Sequence, residues 1–150
     1  MKLGEDCKGP GREAPQDVFL RAFQACLGAL SKWTEVSEAT SDATFKRAAD
    51  TSIVLLAPTM GSVAGELGLR HLKTDDRVKA AEYFRFACVH YQIAMPAKVK
   101  DETAEQRTDR ENIEKALAVT NQILRREYNR NCGNILAWLK TQPTSSFSKR

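Results

Sequence analysis

Histidine is nearly absent from this chain. Only His71 and His90 occur among 150 residues, too few for a site built on several imidazoles. The four cysteines, Cys7, Cys26, Cys88 and Cys132, contain no C-x2-C pair. Zinc ribbons and dithiol redox centres need that spacing to bring two sulfurs onto one point. No metal ligand set and no cofactor is therefore expected. Cys26 and Cys88 fall on apolar helical faces, where a thiol acts as a small hydrophobe, and the expected state of all four is reduced. Glycine and proline are also few, 8 and 5 residues, which argues against disorder over the whole length.

Local signatures of catalysis are missing too. The chain has no G-x-S-x-G, no G-x-x-x-x-G-K-[ST], no G-x-G-x-x-G and no H-E-x-x-H. Each of these positions a nucleophile, a phosphate cradle or a metal by a fixed local geometry. An enzyme built from distant residues is not excluded, but nothing local supports one. The opening Met1-Lys2-Leu3-Gly4-Glu5-Asp6 lacks the apolar segment of a signal peptide, and Ser148-Lys149-Arg150 is not the peroxisomal address. A cytoplasmic protein is the expectation. Alternation of apolar and polar residues never persists, so no strand is predicted.

Long hydrophobic runs are scarce. The most apolar stretch, Ile53 to Leu69, spans 17 residues and contains Pro58 and Glu66. A bilayer core asks for about 20. The stretch is expected to be a packed core helix and not a transmembrane span, although Gly61-x-x-x-Gly65 lies within it.

What remains is ordinary globular material: 42% apolar residues, 28% charged and a net charge of +4. That balance fits a single domain with its own core and does not demand a polyanionic partner. The pattern predicts an all-α fold, a compact bundle of four to five mostly antiparallel helices over 15–141, with a flexible leader at 1–14 and a flexible tail at 142–150.

Apolar residues at three- and four-residue steps place helix 1 over about 15–35, opened by Pro15. Ser41 or Asp42 caps a second helix running to Leu72. Pro58 within it removes a backbone donor and clashes one turn back, predicting a kink or a break into 43–57 and 59–72. Thr74 or Asp75 caps a third helix that ends before Pro96. It is apolar over about twice the arc of a one-sided surface helix, so it is expected between neighbours. Residues 97–107 read equally as loop or helical extension. Thr108 to Glu111 fits a capping box for helix 4. A short fifth helix over about 134–141 offers Ile135, Trp138 and Leu139 to the core.

Function is read from what is left over. The breadth of helix 3 makes Tyr83, Phe86, His90 and Ile93 the candidate surface for a partner, either another protein or a second copy of the chain. An intracellular adaptor, regulatory or chaperone-like subunit without catalysis is the leading expectation. The alternative is an anionic ligand, nucleic acid or a lipid headgroup, held by Arg70, Lys73 and Arg77 at one joint and Arg125, Arg126 and Arg130 at the end of helix 4. The bland reading of those basic residues is a solvated face that complements helix C-termini.

Overall fold

The computed structural model describes residues 4–97 and 99–145. Five helices follow one another: α1 (Gln16–Ala39), α2 (Ala43–Lys73), α3 (Arg77–Ala94), α4 (Ala104–Tyr128) and α5 (Ile135–Lys140). Among the described residues there is no strand. The all-α bundle follows from the three- and four-residue spacing of the apolar side chains.

Short joints force neighbouring helices to run antiparallel, and paired contacts record it. Along α1 and α2, Ser37 Oγ meets Asp50 Oδ1 at 2.6 Å while Phe19 lies under the Arg70 guanidinium at 4.3 Å. Along α2 and α3, Gly61 faces Tyr91 and Gly68 faces Phe84. A methyl at either glycine would stand 2.7 Å from the ring, so the absence of a side chain is what lets the two helices approach. Along α3 and α4, the Tyr128 hydroxyl donates to the Arg77 carbonyl at 2.6 Å.

Two apolar clusters result. One joins α1, α2 and α3 through Phe19, Phe23, Cys26, Met60, Val63, Leu67 and Tyr83. The other joins α3, α4 and α5 through Phe84, Cys88, Ile123, Leu124, Ile135 and Leu139. Helix α3 serves both clusters, as the breadth of its apolar arc requires.

Helix ends match the sequence expectation at Asp42 and differ from it at the starts of α3 and α4. The capping side chains are Asp42 for α2, Asp76 for α3 and Thr103 for α4. The capping box of α4 is Thr103 with Gln106, each side chain bonded to the other's backbone N–H. Thr108 sits one turn inside the helix, its hydroxyl on the Ala104 carbonyl. Both Thr-x-x-Gln and Thr-x-x-Glu satisfy the box chemistry. The upstream one is reinforced by Glu102, whose carboxylate takes two bonds from Arg110, the shorter at 2.7 Å. Arg110 and Arg107 hold that carboxylate below the usual range, first by hydrogen bonding and then by charge.

Helix α2 runs unbroken through Pro58. The carbonyl that loses its partner is that of Val54, four residues back. Val54 is 44% exposed, which puts the missing bond on the outer side of α2, away from the packed core.

The cysteines are not reduced thiols. Cys7 is bonded to Cys26, and Cys88 to Cys132, which leaves no free cysteine. The spacing argument missed this because it tests only for local metal and redox pairs. Both bonds join positions far apart in sequence that the bundle brings together. The first ties the leader to α1 at Cys7, while most of residues 5–13 are exposed. The expected flexible tail falls partly outside the described residues, 146–150; Ser145, the last residue described, is buried.

Candidate interaction groove

Four residues were expected to offer α3 to a partner, and three of them are covered by the chain itself. Tyr83 is buried, with the Phe23 ring edge-on at 5.2 Å. Phe86 is half-buried and meets the same Phe23 ring at 5.2 Å. His90 is buried, and its Nδ1 lies 2.7 Å from the Phe86 carbonyl. The neutral ring with its proton on Nδ1 donates there. Burial holds the imidazole below its ordinary value, against the upward pull of that hydrogen bond. Ile93 alone is exposed, at the open end of α3. From α1, the Phe23 ring covers part of the flank that carries Tyr83 and Phe86.

The six basic residues do not converge on one point. Arg70 is engaged on the α1 side, bonding Glu66 and the Arg12 carbonyl and lying over Phe19. Arg77 turns the other way. It lies over the Tyr128 ring at 4.8 Å and bonds the Glu127 carbonyl. That brings Arg77 to the end of α4, where Arg126 pairs loosely with Glu127 at 3.7 Å and Arg130 bonds the Asn129 carbonyl. Lys73 and Arg125 are exposed. Arg70 and Arg126 are thus each paired with a carboxylate, while Arg77 and Arg130 bond backbone carbonyls. Among the described residues, no three His, Cys, Asp or Glu side chains gather as a metal site.

The surface that sequence reasoning overlooked lies on the outer face of α2. Leu55 is 72% exposed, unusual for a leucine in the middle of a long helix. Val54 and Leu69 are exposed with it. Leu55, Pro58, Ser62, Gly65 and Leu69 follow at steps of three and four, which sets them along one stripe. Helix α4 packs mainly on α3 and touches α2 only lightly, leaving a groove between α2 and α4 with α3 as its floor. One cleft of about 460 Å³ is lined by Leu55, Pro58, Ala94, Pro96 and Ile113. A second of about 280 Å³ lies further along, lined by Gly65, Leu69, Phe84, Tyr91, Val119 and Ile123.

Gly65 distinguishes this groove from simple loose packing. Gly61 and Gly68 are accounted for by the rings they admit. Gly65 has no atom within 4 Å of where a methyl would stand, so nothing inside the bundle requires it. The signal was present in the sequence as the unexplained member of three α2 glycines. It could be separated from the other two only once Tyr91 and Phe84 were placed.

Helix α2 is also long and apolar enough to cross a membrane by length and composition, with 39% of its most apolar window buried inside the bundle. Its inner face packs α1 and α3. No family model matches the chain, and no curated protein or solved structure shows a significant similarity to it.

Proposed function

We propose that this protein is a protein–protein interaction module that receives an apolar-faced helix in the groove between α2 and α4. The observation that carries this reading is the exposed stripe Leu55–Pro58–Ser62–Gly65–Leu69, with two clefts in line beside it. From Val54 to Leu69 the stripe measures about 22 Å along the helix, room for roughly four turns of a partner. Helix-in-groove recognition uses apolar anchors at i, i+3, i+4 and i+7. The clefts beside Pro58 and Gly65 are spaced to take such anchors. The occupant is another protein or a second copy of this chain.

The paired cysteines bear on where this happens. Disulfides persist where thiols are kept oxidised and are rare in the cytosol. We place maturation in an oxidising compartment in preference to the cytoplasm.

The test uses a designed amphipathic peptide of about four turns with leucines at three- and four-residue steps. Binding is expected, and Leu55→Glu or Gly65→Leu should weaken it by at least about tenfold, roughly 1.4 kcal/mol. Sedimentation of the wild type and of Leu55→Glu separates a second copy from a foreign helix, because the two sediment differently only if the groove holds a second copy. A wild type that stays monomeric and binds neither the peptide nor a hydrophobic dye would overturn the proposal.

A further inference from the structure

The segment before α1 is held in an unusual way. Residues 4–14 form no helix, and their backbone bonds are local turns: Cys7 N–H to the Gly4 carbonyl, Lys8 to Asp6 and Ala14 to Gly11. The segment nevertheless crosses α2 at two separated points. Gly4 lies against Leu56, where a methyl would stand 3.0 Å from Cδ2. The Arg12 carbonyl accepts from Arg70 at 3.0 Å. Between them, Cys7 is buried in the first apolar cluster and bonded to Cys26, and Ala14 packs on the same cluster. Among the described residues, a single hydrogen bond and a single covalent bond fix the segment to the helices.

We propose that residues 4–14 are a redox-released strap, held across α1 and α2 by the Cys7–Cys26 disulfide and freed by thiol–disulfide exchange with a dithiol reductant. Both cysteines are buried, Cys26 completely and Cys7 nearly so, so exchange follows a local opening of the exposed strap, after which the incoming thiolate attacks Cys7 Sγ. It forms a mixed disulfide and expels the Cys26 sulfur as a thiolate, which takes up a proton. The reductant's second thiolate then attacks its own sulfur in the mixed bond. It closes the reductant's disulfide and releases Cys7, which is protonated in turn. The protein gains two electrons and two protons and the dithiol loses them. Release uncovers Leu56, against which Gly4 lies.

The second disulfide acts differently. Cys88 and Cys132 join α3 to the α4–α5 joint inside a cluster that Phe84, Leu124, Ile135 and Leu139 already hold together. Breaking it frees no segment that lacks packing of its own. Among the described residues of the strap, only Ala14 packs on the apolar cluster besides Cys7.

Lys8 and Arg12 are exposed and give the strap two tryptic sites. Limited trypsin digestion of the whole chain, read by mass, should cut after Lys8 and Arg12 at least tenfold faster in the Cys7→Ser/Cys26→Ser double variant than in the wild type. Cutting within α2, α3 and α4 should be unchanged, and Cys88→Ser/Cys132→Ser should leave the strap as slow as in the wild type. Equal rates after Lys8 in the wild type and in a folded Cys7→Ser/Cys26→Ser variant overturn the proposal. Should the double variant not fold, graded dithiothreitol on the native protein decides. Cutting after Lys8 must then precede loss of the helical circular dichroism signal, and simultaneous loss overturns the idea.

Discussion

At the scale of single residues, three glycines in one helix have opposite consequences. A glycine in a helix interior costs about 1 kcal/mol relative to alanine. At Gly68 that cost is offset because a methyl would press on the Phe84 ring at 2.7 Å, and overpacking of this kind destabilises by about 1–3 kcal/mol. Gly68→Ala is therefore expected to lower stability on balance, and Gly65→Ala to raise it by up to about 1 kcal/mol, since nothing stands in its way. Urea midpoints of the two variants give the check, and a stabilising Gly68→Ala would contradict the packing described. His90 supplies a second prediction at this scale. Its folded-state pKa is lowered, chiefly by burial, with Arg85 adding to the effect. The unfolded chain takes up this proton near pH 6.5, while the folded chain resists until a lower pH. Between those values the unfolded state binds more protons, so stability falls as pH drops. His90's contribution is complete above about pH 6.5 and is lost as pH falls toward the folded value. Urea midpoints of wild type and His90→Gln across that range should converge in slope if another group is responsible, and diverge if His90 is. The sequence set His90 among the aromatic residues of α3 and offered it to a partner. It did not show that the Phe86 carbonyl is the partner or that Phe23 closes the same face.

Among elements, legibility followed the strength of the periodic signal. The four long helices were readable because their apolar residues repeat over many turns, and Ile135, Trp138 and Leu139 marked α5 by the same rule. Ends were less legible, because a cap is decided by competition between neighbouring short side chains. Asp76 captures the Lys79 N–H with Thr74 and Asp75 both at hand. Asp75 instead takes a left-handed backbone, φ 65°, to turn the chain between α2 and α3. Pro58 shows a different limit. Sequence alone specifies the missing donor but not which side of the helix carries the freed carbonyl. Here it belongs to half-exposed Val54, on the outer side of α2, and α2 continues. Replacing Pro58 with alanine restores that bond and removes the ring's clash, which should stabilise the helix by about 1–3 kcal/mol. The same change widens the cleft that Pro58 lines, so peptide binding in the groove should weaken while the melting temperature rises. Parallel movement of the two would place the groove elsewhere.

On the scale of the whole molecule, the covalent ties are the feature that pattern reading could not supply. Helical periodicity sets which residues face inward, but whether two inward cysteines meet depends on the order in which helices pack. Cys88 lies in the middle part of α3, and Cys132 lies beyond the end of α4 in the segment that folds back, where the Asn121 side chain fixes the Cys132 N–H at 2.7 Å. The antiparallel course of α3 and α4, together with the turn into α5, brings the two sulfurs together. Their separation of 44 residues closes a loop whose entropy is lost to the unfolded chain, a stabilisation of about 4 kcal/mol in the chain-entropy view. For a domain whose total is about 5–15 kcal/mol, that is a substantial share. Cys88→Ser/Cys132→Ser should accordingly lower the unfolding free energy by about 2–5 kcal/mol, because a half-open loop in the folded state is still closed by Phe84, Leu124 and Ile135. The variant should keep its helical content and unfold at lower urea in a single transition. A loss confined to α5, with α1 to α3 unchanged, would mean that the two apolar clusters unfold separately and that α3 does not couple them.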